Sequence, residues 1–404
     1  MAIRDTEFDV IVVGAGPVGS SVAEKLARAS VSVALLEEHP AVGMPNHCSG
    51  LVSPRTLACA HVSEDALALA HYRRARVWAP DGRMLRLESD TVQAVAIDRT
   101  RFDQTLATRA VECGAELMLG IKAVHFERDA DCVRVQVRQD RRIRELRTRL
   151  LVGADGACSR VAQWMGAPRP QEVIPAIKAA LTFRASPLDE IEIFLGKDVA
   201  PGWFGWLIPL PDGATRVGLG TKQGPRRYFT RFLEMVRARF GPFDLLEGSV
   251  CQAPLPLGPG RDFVADRALL VGAAAGQTKP TTGGGVYFGL RAAELATKVA
   301  ITALAAGDCS REWLAPYERA WAYGEGRELA FGRWLRRIWL RLPDSGLDAV
   351  VWLLTQAPSR KYLTRLGDMD YPSRLIRLLL PKIVRQTSKR EQPLDHAPML
   401  RARG

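Results

Sequence analysis

Cysteine occurs seven times in this 404-residue chain and never as a CxxC pair. An odd count without close pairs argues against a zinc ribbon or a disulfide framework and for reduced thiols, and no metal site is expected. Long apolar runs are missing too. The longest helix-like one, Ala292 to Ala306, carries Glu294 and Lys298 and is shorter than the roughly 20 residues a bilayer span needs. The first residues hold Asp5, Glu7 and Asp9 where an export signal would hold Lys or Arg, so no such signal is expected and the chain is read as cytoplasmic. Internal repeats, low-complexity tracts and a second nucleotide fingerprint are absent. Lys25 is the single lysine before Lys122.

The composition is that of an ordered globular protein, with 47% hydrophobic and 25% charged residues. At roughly 100–200 residues per domain, the length suggests two or three domains. The formal charge of +12 is unevenly spread: from Arg311 onward 18 Lys and Arg face 10 Asp and Glu. No nucleic-acid motif accompanies this basic quarter, so it points to an anionic membrane surface and not to nucleic acid.

Phe8 to Val13 is a run of β-formers unbroken after Asp9, as in a central parallel strand buried on both faces. It enters Gly14-Ala15-Gly16-Pro17-Val18-Gly19. Ser20 to Ala29 then reads as a helix and Val31 to Leu36 as a second strand ending at Glu37, which together make a βαβ unit. Further on, Ala179 to Arg184, Glu190 to Leu195, Gly205 to Pro209 and Thr215 to Gly220 are short, and Ile191, Ile193 and Leu195 alternate with polar residues, as half-buried strands do. After the Pro-rich Gln252 to Pro259, a buried strand at Ala268 to Gly272 leads through a Gly-rich loop into a helix from about Gly284 to Leu304. The expected fold is α/β: a Rossmann-like nucleotide domain, discontinuous in sequence (1–75, 98–165 and 262–310), with an inserted, mainly antiparallel substrate sheet (76–97 and 166–261). A helical, basic C-terminal cap (311–404) follows, with a tail from about residue 386 read as disordered.

In the fingerprint, Gly14 allows the tight turn, Gly16 lets backbone approach a pyrophosphate, and Gly19 lets helix pack on strand. The helix N-terminus faces the phosphates with unpaired N–H groups and its positive dipole end. Strand, loop, helix, second strand and an acid follow in order, and register favours Glu37 over Glu38 as the acceptor of the adenosine ribose hydroxyls.

With His47-Cys48-Ser49-Gly50, Asp98-Arg99 and Arg101-Phe102-Asp103, Gly153-Ala154-Asp155-Gly156 with Ser159-Arg160, and Leu270 to Val286 added, the chain resembles the geranylgeranyl reductase family of FAD-dependent oxidoreductases. That family lies within the para-hydroxybenzoate hydroxylase-like flavoproteins, and the resemblance runs over roughly residues 8 to 310, with Pro280-Thr281-Thr282-Gly283-Gly284-Gly285-Val286 its most family-specific stretch. It implies FAD, contacted at Gly14, Gly16, Gly19, Glu37, Cys48, Ser49, Leu51, Arg99, Ala123, Asp155, Ala273, Gly285 and Val286. Gly283 to Gly285 would set backbone N–H groups and a positive dipole end beside the flavin pyrimidine edge, where negative charge gathers on reduction. Arg99 is implied at the cofactor's side chain or pyrophosphate, and Asp155 in the ordering of its loop. One position departs from the family: Gly272-Ala273-Ala274-Ala275-Gly276 stands where relatives have Gly-Asp-Ala-Ala-Gly, so Ala273 offers only backbone to the ribityl hydroxyls. The missing charge-assisted hydrogen bond costs on the order of 1.5–3 kcal/mol of FAD affinity.

The resemblance further implies saturation of carbon–carbon double bonds in a polyprenyl lipid or prenyl-quinone chain, with NADPH or a ferredoxin as electron donor. Cys48 is then either a proton donor near the flavin or a small buried hydrophobe. Phe204 and Trp206, in Phe204-Gly205-Trp206-Leu207-Ile208-Pro209, share one face of a strand and either hold the isoprenoid chain or belong to ordinary core. The same hexapeptide also resembles a halogenase signature, but the early lysine that halogenases use is missing. Aromatic hydroxylation is a further alternative, and a flavin-poor, membrane-associated binding protein another because of Ala273. In the cap, Trp334, Leu335, Ile338, Trp339 and Leu342 recur at helical spacing with Arg333, Arg336, Arg337 and Arg341 largely opposite. This is either an interfacial membrane helix or the wall of the cap.

Overall fold

The computed structural model describes residues 7–183, 189–258, 262–356 and 368–374. The tail from about residue 386 lies outside them. Strand Glu7–Val13 is central in an eight-stranded sheet, between Arg142–Gly153 and Val33–Glu37 and parallel to both. Val10, Ile11 and Val12 are fully buried there, as the uninterrupted apolar run requires. Helix Pro17–Arg28 makes the crossover, beginning with proline at its first turn, where the missing N–H costs nothing. Glu116–Leu119 extends the parallel set, and Ala268–Leu270 joins its other side. The hairpin Lys122–Arg128 and Val133–Gln139 is attached through Arg142–Gly153.

The second sheet has seven strands, in the order Cys251–Leu257, Glu172–Leu181, Thr215–Gly220, Gly205–Pro209, Glu190–Phe194, Arg74–Trp78 and Met84–Glu88. All neighbours are antiparallel except Glu190–Phe194 with Arg74–Trp78. Its two faces follow from period-two alternation. Ile177, Leu207, Val217 and Leu219 pack on Phe229, Phe232 and Val236 of helix Pro225–Phe240. Lys178, Trp206, Gly218 and Gly220 belong to the opposite face. A small sheet of Leu51–Val52, Ala94–Ile97 and Ala68–Tyr72 bridges the two larger ones.

The long helix Val286–Ala306 packs beside the fingerprint helix, and the cap follows as Arg311–Tyr323, Glu325–Trp339 and Asp344–Thr355. In the second cap helix the expected separation of arginines from the aromatic stripe fails at Arg336. Its side chain is buried, donates to Glu172 at 2.6 and 2.7 Å, and lies 4.6 Å from the Trp203 ring. Arg336 and Trp339 are three residues apart and therefore share a helix face, so one arginine had to be buried with the aromatics. Arg337, Ile338 and Leu340 are exposed. No helix among the described residues is long and apolar enough to cross a membrane.

Candidate active site

At one end of the cleft the three fingerprint glycines are required for three different reasons. Gly14 has φ +102°, and a Cβ there would lie 2.6 Å from Ala154 O. A Cβ on Gly19 would lie 1.9 Å from Gly14 O, so only glycine lets the helix close on the turn. A Cβ on Gly16 would meet nothing within 4 Å: it faces open space beside a helix N-terminus that no side chain caps. An uncapped N-terminus beside an open glycine suits a pyrophosphate, and the residues present therefore fit the FAD that the fingerprint implies. Glu37 closes this end, accepting from Ala15 N and His39 N at 3.1 Å each, with His39 Nδ1 at 2.6 Å. Glu38 turns away to pair with Lys122. Ala123 packs its side chain into the core, two residues after Ile121 N donates to Glu37 O, and has only its backbone to offer a ligand. Asp155 accepts from Ser159 Oγ, Arg160 N and Val161 N at 2.6–3.2 Å and so ties its own loop together. Burial raises its carboxyl above the usual range despite these donors.

At the other end, the segment from Asn46 to Leu51 is surrounded by cations: Arg99, which its motif revealed, and Lys178 and Arg216, which no motif did. Lys178 Nζ donates to Cys48 O at 2.5 Å and lies 3.4 Å from Asn46 Oδ1. Arg216 donates to Ser49 O and Ile97 O at 2.9 and 3.1 Å, and its guanidinium occupies the space a Cβ on Gly50 would need. Arg99 is buried and locked onto Asp103 at 2.9 and 3.0 Å. Burial pushes the Cys48 thiol up, but Arg99, the Gly50 backbone N–H and Lys178 together hold it below the ordinary thiol value. The same desolvated, positive surroundings depress Lys178 and His47, burial being the larger cause in each. Sequence carried one trace of this cluster: Lys178 is the single charge between Val173 and Leu181, in an otherwise apolar run.

The third wall is the turn Gly272–Ala275 and the loop to Gly285. Gly272 N donates to Gln277 Oε1, and Gln277 Nε2 donates in turn to the buried Tyr317 hydroxyl. Ala273 is half-buried on this wall with no polar side-chain atom to contribute. Gly285 starts the long helix without any side-chain cap, and Val286 packs against the apolar cluster that includes Val52 and Leu290.

The seven-stranded sheet supplies the fourth wall. The Trp206 ring lies over Gly218, where a Cβ would come within 2.3 Å of it, and Trp203 lies over Gly220 at 2.4 Å. Phe204 stacks on Trp203 with centroids 5.0 Å apart, meets Trp206 edge-on at 6.0 Å, and lies 6.4 Å from Trp339 of the cap. Ile174 and Leu255 complete this apolar cluster. A Cβ on Gly283 would lie 3.4 Å from Trp203, so the aromatic cluster abuts the Gly-rich loop. The motif exposed Phe204 and Trp206. Trp203 and the two glycines beneath the rings emerge only when the strands pair, and Trp339, read as part of the cap stripe, joins them when the cap packs on the sheet.

The description "FAD binding domain" fits residues 7–322 as a family model. The digeranylgeranylglycerophospholipid reductase of Methanospirillum hungatei is 31% identical over 362 residues, covering 85% of this chain and 89% of that protein. The enzyme of the same name from Methanocaldococcus jannaschii is 30% identical over 360 residues, covering 87% and 91%. In fold, a geranylgeranyl bacteriochlorophyll reductase-like protein from Thermoplasma acidophilum superposes with TM-score 0.85 at 20% identity, over 95% of this chain and 99% of the other. A flavin-dependent brominase superposes at 0.71 and 16% identity, over 96% and 100%.

Proposed function

The chain belongs to the FAD-binding-domain flavoproteins and within them to the geranylgeranyl reductase family, and we propose that it saturates carbon–carbon double bonds of a polyprenyl lipid. It is an FAD-dependent oxidoreductase. The observation that carries the substrate reading is the aromatic wall of Trp203, Phe204, Trp206 and Trp339 abutting the loop of Gly283 to Gly285. The partly exposed Phe204, Trp206 and Trp339, backed by the buried Trp203, present apolar and aromatic surface of the kind a hydrocarbon chain fills.

FAD, bound and reduced, supplies the hydride. An isolated trisubstituted alkene is not electrophilic, so a proton must reach it first. Cys48 holds that proton at Sγ, made more acidic than a free thiol by Arg99 and Lys178. Phe204 and Trp206 offer ring faces to the electron-deficient carbon that results. Each double bond gains one proton and one hydride. Ile174, Leu255 and Trp339 keep water from the cation. Gly14, Gly16, Gly19 and Glu37 hold the dinucleotide end; Ser49, Leu51, Arg99, Ala273, Gly285 and Val286 surround the flavin end; Ala123 and Asp155 shape the loops between. With one nucleotide fingerprint in the chain, the electrons come from NADPH or a ferredoxin arriving from outside it.

The same reading divides the chain as the sequence suggests, into an FAD-binding domain, a substrate sheet and a cap that closes on it through Arg336 and Glu172. It places the protein on the cytoplasmic face of a membrane. Exposed Ile338 next to Arg337, and exposed Val350, Trp352 and Leu353 on the last cap helix, support that placement. Sedimentation with anionic vesicles that weakens with salt is the expected result, and no sedimentation at low salt would end this part of the reading.

A second reading, oxygen-dependent halogenation or hydroxylation, draws on Lys178, which belongs to the face of the sheet that carries Trp206, with Gly218 between them. Mass spectrometry of polyprenyl lipids incubated anaerobically with chemically reduced protein tests the first reading: gains of two hydrogens per bond support it, and unchanged lipid sinks it.

A further inference from the structure

Lys279 is an ammonium group buried in the loop that opens the long helix. Its Nζ donates to Asp370 Oδ1 at 2.8 Å and to Met369 O at 2.9 Å, and the two side chains are 5% and 2% exposed. The other Asp370 oxygen accepts from Ser53 Oγ, which also caps helix Pro54–Cys59. Neither charge takes part in the reaction proposed above, and burying both is costly unless something is gained.

The pair lies against the flavin end of the cleft. A Cβ on Gly284 would come within 2.7 Å of Lys279 Cε and 3.2 Å of Nζ, so the ammonium is packed on the backbone of the Gly-rich loop. The lysine backbone also closes that loop, its N–H donating to Gly284 O and its carbonyl accepting from Gly283 N. Ser53, two residues beyond Leu51, brings the carboxylate to the other segment of this end. Asp370 is itself anchored. Asp368 pairs with Arg55 at 3.1 Å, the Tyr371 hydroxyl donates to Glu325 at 2.9 Å, and Ser373 N donates to Glu328 at 2.9 Å.

We propose that Lys279 and Asp370 set the reduction potential of the bound flavin. Lys279 is the cation that favours the reduced, negatively charged flavin, and Asp370 is the positioning residue that holds the cation and partly cancels it. The proposal rests on the assignment of Gly283 to Gly285 to the pyrimidine edge. In a desolvated site a unit charge acts strongly over a few ångströms, and each member of the pair acts with its own sign. Removing the acid raises the potential, and removing the base lowers it.

The test is a reference-dye titration of FAD-loaded Asp370→Asn, Lys279→Gln and the double variant. Asp370→Asn should favour the reduced form by about tenfold and Lys279→Gln disfavour it by about tenfold, each about 30 mV for a two-electron couple, with the double variant between them. Shifts in the same direction, or none, overturn the proposal, since loosened packing alone has no reason to act with opposite signs. If the single variants do not fold, Gly284→Ala carries the test: its methyl displaces the ammonium without changing any charge. A fall in potential supports the proposal, and a rise or no change overturns it. Carbon-13 resonance of wild-type protein loaded with C2-labelled FAD separates the premise from the pair. A C2 signal no further downfield than in water removes the pyrimidine-edge assignment and the proposal with it. A downfield signal with unmoved potentials removes the pair alone.

Discussion

Two helices begin at the proposed FAD site, and they begin differently. Helices Pro17–Arg28 and Val286–Ala306 both start at a glycine without a side-chain cap. They lean on each other so closely that a Cβ on Gly289 would lie 2.4 Å from Val18. The first relies on backbone N–H groups, with open space at Gly16 and no charged side chain in its first turn. The second has a buried ion pair packed behind its glycines. A pyrophosphate carries constant charge, which fixed N–H donors and a dipole suffice to hold. A flavin ring changes charge on reduction, and a site that must favour one state over the other gains from a full charge nearby.

The largest effects should separate the fingerprint glycines from one another. Gly19→Val drives a side chain into Gly14 O and should prevent folding, seen as loss of soluble, cooperatively melting protein. A Cβ at Gly16 has no protein atom within 4 Å, so Gly16→Val should fold with a normal melting profile yet purify colourless, with FAD affinity down by more than about 100-fold. Stoichiometric flavin in Gly16→Val would place the pyrophosphate elsewhere and dissolve the comparison.

Next in size is Cys48. Its replacement by alanine should slow the alkene step by roughly 10²–10⁴-fold, the range for general acid catalysis, while leaving flavin reduction by an artificial donor nearly unchanged. Because cations hold the thiol below its ordinary value, the donor form is lost as pH rises through that lowered value. The wild-type alkene step should therefore decline on the alkaline side earlier than a free thiol titrates, and Cys48→Ala should lack that limb. Equal slowing of both half-reactions would mark the cysteine as structural.

The smallest effect concerns the wall between the two helices. Ala273 is half-buried in the turn Gly272–Ala275 and brings no polar side-chain atom to it. Ala273→Asp should tighten FAD by about 1.5–3 kcal/mol, a tenfold or greater fall in Kd by fluorescence titration. Unchanged affinity would mean that this wall has been rebuilt around the alanine.

The contrast between the helices also explains what was legible beforehand. The first βαβ unit could be read because its glycines, apolar strands and Glu37 lie within one short stretch whose periodicity encodes burial directly. Gly205–Pro209 and Thr215–Gly220 were legible as short apolar runs, although the structure buries them on both faces. Local pattern does not encode partners. Lys279 meets Asp370 across 91 positions, and Ser53 meets Asp370 across 317, so neither charge announces its role in sequence. Gly218 and Gly220 look like weak points in a strand until Trp206 and Trp203 are placed on them. Arg336 was misplaced because its partner, Glu172, lies 164 positions away on a strand of the second sheet.

The most direct test of the account is single-turnover reoxidation. Chemically reduced, FAD-loaded protein is mixed without oxygen with a polyprenyl lipid in vesicles, and flavin absorbance near 450 nm is followed, a wavelength where roughly only the oxidised ring absorbs strongly. The account predicts that the colour returns on adding lipid alone, with the lipid gaining hydrogen in step. Colour that returns only when oxygen is admitted, with the lipid unchanged, would contradict it.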